Sequence, residues 1–150
     1  MTALSYTAVA GCPHRPYVVY LRRWLPKAVA EIKRPPAVVA VSLVGDTKMA
    51  ALHRQFLNID GPTDVMTFEL DHDARGRCTE GEVVICPSYA KRESKTRGHD
   101  VRRELLLYAL HGVLHLSGFD DRTDRDHHRM HREEDRILTA IGIGPTFRPV

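Results

Sequence analysis

The chain is poor in cysteine and has no long apolar run and no low-complexity tract, and each shortage removes a class of explanation. Three cysteines in 150 residues, Cys12, Cys78 and Cys86, make neither an even disulfide framework nor a CxxC knuckle. A disulfide-stapled secreted scaffold and a cysteine zinc finger are thereby excluded, and a reducing compartment is expected. No stretch approaches the ~20 apolar residues of a membrane span. Met1 to Tyr6 lack the basic start and continuous apolar stretch of a secretory signal, so the expectation is a cytoplasmic protein without membrane contact. Val9-Ala10-Gly11-Cys12 resembles a lipoprotein cleavage site only superficially, because those signal features do not precede it. No internal repeat is visible, and no charge of one sign dominates: the formal net charge of +3 and pI near 8.9 permit a polyanionic partner without requiring one.

What is present is an ordinary globular balance, 43% hydrophobic and 27% charged, enough for one domain over residues 1–150 with a single core. Leu4 to Ala10 reads as a strand closed by Gly11-Cys12-Pro13. Leu21, Trp24, Leu25, Ala28 and Ile32 recur at helical spacing from Tyr17 to about Glu31, with Pro26 expected to kink or locally rearrange that helix. Val38 to Val44 is a β-branched buried strand, and Gly45-Asp46 supplies a turn and an N-cap for a helix from Thr47 to Phe56. Val65 to Leu70 and Gly81 to Ile85 read as strands joined by a polar loop from Asp71 to Glu80. Helices follow from Pro87 to Thr96, Asp100 to Leu116 and Asp124 to Ile141. The order βαβαββααα implies an α+β domain, a single small mixed sheet packed against helices.

The chemistry concentrates in His111-Gly112-Val113-Leu114-His115-Leu116-Ser117-Gly118-Phe119-Asp120-Asp121. Histidines four apart on a helix lie one turn above each other and can reach one ion together. Gly118 can end the helix in a left-handed conformation and fold the chain back, so that Asp121 arrives as a third ligand. Two nitrogens and a carboxylate with an open position describe a catalytic rather than a structural zinc site. An isolated HxxxH is more often a pair of core histidines. Here Leu105, Leu106, Leu107, Ala109, Leu110, Val113, Leu114 and Leu116 make the helix apolar nearly all round, and buried imidazoles need partners that a cation would supply. His127 or His128 is an alternative source of a nitrogen ligand.

At these residues the sequence strongly resembles the YbeY family of bacterial rRNA maturation endoribonucleases, whose signature is HGxLHLxGYDH. The likeness runs over roughly residues 37–143, since Pro62-Thr63-Asp64-Val65-Met66-Thr67-Phe68 resembles the family's PTDVLSF and Gly81-Glu82-Val83-Val84-Ile85-Cys86-Pro87 its GDIVICP. The resemblance implies a zincin-like metal helix with a glycine break, one zinc ion per chain on His111, His115 and Asp121, and single-strand-specific RNA cleavage in rRNA maturation and ribosome quality control. It implies RNA, ribosomal proteins or assembly factors as partners. Two departures stand out. Asp121 occupies the position of the family's third histidine, and Leu57 that of an arginine, within YRG, thought to contact phosphate. Arg54, one helical turn earlier, is a substitute for that charge, and Glu82, matching a strand aspartate, is an acid/base or ligand-orienting group.

RNA would also need a basic track. Arg125, Arg129, Arg132 and Arg136 recur on the last helix, but Glu133, Glu134 and Asp135 are interspersed, so a salt-bridged solvent face is the preferred reading; Lys91, Arg92, Lys95, Arg97, Arg102 and Arg103 form a second cluster. The spacing also fits the metzincin peptidase pattern HExxHxxGxxH with its last ligand changed, against which Gly112 stands where that pattern carries its general-base glutamate. A third reading is a non-catalytic ribosome-assembly module that keeps the metal for structure.

Overall fold

The computed structural model describes residues 1–9 and 15–145. The turn expected at Gly11-Cys12-Pro13 lies outside them. The elements run β1 (Ala3–Ala8), α1 (Arg15–Val29), β2 (Val38–Leu43), α2 (Asp46–Leu57), β3 (Val65–His72), β4 (Cys78–Ile85), α3 (Pro87–Arg97), α4 (Val101–Leu116) and α5 (Asp124–Ala140), the expected order. One four-stranded sheet has the order β1-β2-β4-β3, parallel except for the β3–β4 hairpin, which leaves β3 on an edge.

Strand alternation divides the sheet between two apolar clusters. Val39, Val41, Leu43, Val83 and Ile85 face the main core with Leu21 and Leu25 of α1 and with Leu105, Leu106, Leu110, Val113 and Leu114 of α4. Val44, Met66, Val84 and Cys86 point the other way and are covered by Met49 of α2. Helix α4 is buried along nearly its whole length, which explains why its apolar residues show no single stripe. It starts on a side-chain cap, Asp100 accepting from the Arg102 amide at 2.7 Å.

Three expectations change in detail. Helix α1 runs through Pro26 as one element. The ring lies on the exposed side of the helix, where the Arg22 carbonyl that loses its amide partner can meet water. Helix α2 begins at Gly45 without a side-chain cap; Asp46 falls in its first turn and accepts from Arg92 Nη1 and Nη2 at 3.0 and 2.9 Å. The loop expected from Asp71 to Glu80 is shorter, because β3 and β4 extend past their apolar residues by pairing Asp71 with Glu80 and His72 with Cys78 across an irregular register.

Candidate metal centre

Helix α4 ends in a Schellman turn that builds the site. The Phe119 amide donates to the Leu114 carbonyl at 3.0 Å and the Gly118 amide to the His115 carbonyl at 3.1 Å, with Gly118 at φ +104°. The reversal brings Asp121 back over the helix it has just left. His111 Nε2 and His115 Nε2 stand 3.0 Å apart, and Asp121 Oδ2 lies 3.4 Å from each. Ligands at about 2.0–2.2 Å around a tetrahedral ion stand about 3.3–3.6 Å from one another, so the two edges to Asp121 have the size a zinc-class ion needs and the 3.0 Å edge between the histidines falls about 0.3 Å short of it.

The hydrogen bonds on the far side of each ring determine what faces into that triangle. His115 Nδ1 meets the Phe119 carbonyl at 3.0 Å, and a carbonyl can only accept, so Nδ1 holds the proton. His111 Nδ1 donates to Glu134 Oε1 at 3.3 Å. In the neutral rings both Nε2 atoms therefore present lone pairs, toward each other and toward a carboxylate oxygen. With both rings neutral, three acceptors converge without a donor among them, and either a proton shared between the rings or a bound cation resolves the conflict.

The charge pattern places Glu134 on a salt-bridged solvent face, and the structure corrects this: it is fully buried, between His111 and His131. Burial alone would raise its carboxyl, but the hydrogen bonds and charges of His111 and His131 hold it below its ordinary value. Burial likewise works against protonation of His111, but the Glu134 hydrogen bond and charge, with Asp121 and Asp64 beyond, raise its imidazole above its ordinary value in the metal-free protein. The sequence does carry a signal for Glu134. It falls between Met130 and the pair Ile137 and Leu138 at helical spacing, on the one buried face of α5. Arg136, on the exposed side of α5, does form the expected surface pair, with Glu133 at 2.6 Å.

The centre opens into a cleft of about 650 Å³ along the β3 edge, lined by Asp64, Thr67 and Phe68 as well as by the three candidate ligands. Leu57 borders this cleft and is 57% exposed. Arg54 is paired with Asp60 at the surface and is not among the residues that line the cleft. Glu82 lies on an adjoining groove with Thr67, Phe68 and His115, near the centre but without a direct hydrogen bond to it. His127 is not within the three-ligand cluster; it stands beside His131 on α5, the two Nε2 atoms 3.1 Å apart.

Gly112 separates two kinds of hydrolase. A Cβ at this position would lie 2.6 Å from Val83 Cγ1 and 3.2 Å from Thr67 Cγ2, so residue 112 points into the sheet and not toward the histidines. A glutamate cannot occupy it as a metzincin base.

A model of the family described as endoribonuclease YbeY matches residues 14–142. The chain belongs to this family. The match reaches further toward the N-terminus than the segment over which the motifs alone carry the likeness. An endoribonuclease YbeY from Thermobifida fusca is 39% identical over 113 residues, 71% of this chain and 73% of that protein. One from Micrococcus luteus is 35% identical over 119 residues, 75% of this chain and 76% of the relative. One from Corynebacterium kroppenstedtii is 36% identical over 114 residues, and there the chain spans just over half, 56%, of the relative's length. The fold is shared with a Thermotoga maritima protein whose structure was determined in solution, with a TM-score of 0.62 and 22% identity over 97% of this chain and 96% of the other.

Proposed function

We propose that the protein is a zinc-dependent endoribonuclease that cuts single-stranded RNA during rRNA maturation and ribosome quality control in the cytoplasm, with one ion held by His111, His115 and Asp121. The observation that carries the reading is the convergence of two Nε2 lone pairs and a carboxylate oxygen, spaced 3.0 to 3.4 Å, at the mouth of a cleft. Membership of the endoribonuclease YbeY family supports the choice of phosphodiester over peptide, as does the orientation of residue 112.

When bound, a zinc-class ion supplies Lewis-acid charge beside a phosphoryl oxygen and acidifies water. The chain's own residues do the rest. His111 and His115 are held in one tautomer by Glu134 and the Phe119 carbonyl, so their lone pairs stay aimed without a reorganisation cost. Asp121 adds a negative charge where the family has a neutral imidazole, which lowers the effective charge of the centre. Glu82 lines the adjoining groove and is assigned, in this reading, the taking up or delivery of a proton. Arg54 is paired with Asp60 at the surface, and a strand entering the cleft would have to draw it from that partner for it to contact phosphate.

The test is zinc-reconstituted protein and its His111→Ala variant assayed on single-stranded RNA, double-stranded RNA and a peptide. Single-stranded RNA cleavage that the variant loses is expected. Metal-dependent peptide cleavage, or RNA cleavage of equal rate in the variant, would overturn the proposal.

A further inference from the structure

Helix α5 repeats the motif of α4. His127 and His131 are four residues apart, and their Nε2 atoms approach to 3.1 Å, almost the 3.0 Å of the first pair. The rings meet edge to face in both cases, with interplanar angles of 85° and 84°. Both pairs also lean on the same buried carboxylate. Glu134 Oε1 lies 3.3 Å from His111 Nδ1 and 3.0 Å from His131 Nδ1, so its charge favours a proton on Nδ1 of these two rings and a lone pair on their Nε2 atoms. The second pair is distinct from the first centre, whose cluster contains only His111, His115 and Asp121. It nevertheless borders the same cleft, with the His131 ring stacked 6.4 Å from that of His111.

The charge of the cleft gives the second pair a purpose. Asp64, Asp121 and Glu134 place three carboxylates on its wall, and Arg97 is its one guanidinium among the described residues. That guanidinium is already engaged by Glu104 at 2.7 Å and Glu93 at 3.8 Å. The wall is thus formally at −2, and one divalent ion only neutralises it. A phosphodiester strand is an anion and needs a positive cleft.

We propose that His127 and His131 bind a second divalent ion of the imidazole-preferring class, such as zinc, whose charge makes positive a cleft whose guanidinium is already engaged. Among the described residues the pair offers two nitrogens against the three ligands of the first centre, so this ion is held more weakly than the first and fills after it. The role in attracting RNA rests on the nuclease reading; the ion site itself does not.

The experiment is a zinc titration followed by native mass spectrometry on the wild-type protein, His127→Ala and His111→Ala. Residue 127 is exposed, so the first variant is expected to fold normally, which circular dichroism checks. Wild type should take up two ions per chain and each variant one, the ion lost from His127→Ala being the weaker. Saturation of wild type at one ion, or an unchanged second affinity in His127→Ala, would overturn the site and leave the pair as two imidazoles sharing a proton. Affinity for single-stranded RNA at one and two equivalents of zinc tests the charge role. A rise at the second equivalent that His127→Ala lacks supports it, and equal affinity refutes it. Absence of RNA cleavage would refute the nuclease reading while leaving the ion count untouched.

Discussion

Replacing Gly112 by alanine tests how closely the metal helix is held to the sheet. In an exposed helix the change should stabilise the protein by about 1 kcal/mol, because alanine restricts the unfolded chain and glycine does not. Here the new methyl would sit 2.6 and 3.0 Å from the two γ-carbons of Val83 and 3.2 Å from Thr67 Cγ2. Val83 is fully buried, and its β-branched side chain has little rotamer freedom with which to move aside. Overpacking of this kind costs about 1–3 kcal/mol, and two contacts with one rigid neighbour argue for the upper half of that range. The net expectation is a loss of about 1–2 kcal/mol, or a few degrees in Tm for a domain of this size. Urea denaturation of the metal-free protein measures it. A double-mutant cycle isolates the cause: Val83→Ala removes the opposing methyls, so Gly112→Ala should cost at least about 1 kcal/mol less in that background. A Gly112→Ala protein as stable as wild type, or additive costs in the cycle, would show that the close approach of α4 to β4 is not the constraint described above.

Three further outcomes bear on the centre. Asp121→Ala should lose zinc affinity in a competition assay, whereas Asp121→His should keep a three-ligand site and shift RNA cleavage toward lower pH; unchanged affinity in the alanine variant would remove Asp121 from the ligand set. Glu134→Gln should lower zinc affinity by about 10–100-fold, since the amide no longer supplies the charge that steadies His111, and full affinity would argue against that role. In the metal-free protein the His111 imidazole is raised above its ordinary value of 6.5. Its contribution to stability is therefore complete below that value and is lost as pH rises through the folded value, whereas zinc needs the neutral ring and stabilises more at higher pH. Melting temperatures from about pH 6 to about pH 8 should thus change with opposite sign in chelator and in zinc, and parallel trends would refute the assignment.

Much of this architecture was legible in the sequence because its signals are local. The order of all nine elements follows from periodicity and punctuation, and Gly118 announces the turn that delivers Asp121. Charge patterning misled where tertiary context decided. Glu134 lies in an acidic and basic run that reads as solvent face, but Met130, Ile137 and Leu138 turn that face inward. Asp46 resembles a helix cap, but its side chain is claimed by Arg92 from another helix. The hairpin continues to His72 and Cys78 without apolar alternation, because backbone pairing can extend a ladder that side-chain patterning does not predict. Arg54, one turn before Leu57, had the right spacing but finds Asp60 beside it.

The three candidate ligands all belong to the short segment from His111 to Asp121, and the turn that gathers them is closed by hydrogen bonds within that segment. Closing so small a loop costs little chain entropy, and no strand pairing has to precede it. If these residues hold the ion, their grip would be available to a chain whose sheet has not yet formed, whereas Glu134 reaches His111 only when α5 docks. Zinc present during refolding would accordingly meet a ligand set that is geometrically ready before it is electrostatically finished, and docking of α5 would be the step that converts capture into tight retention.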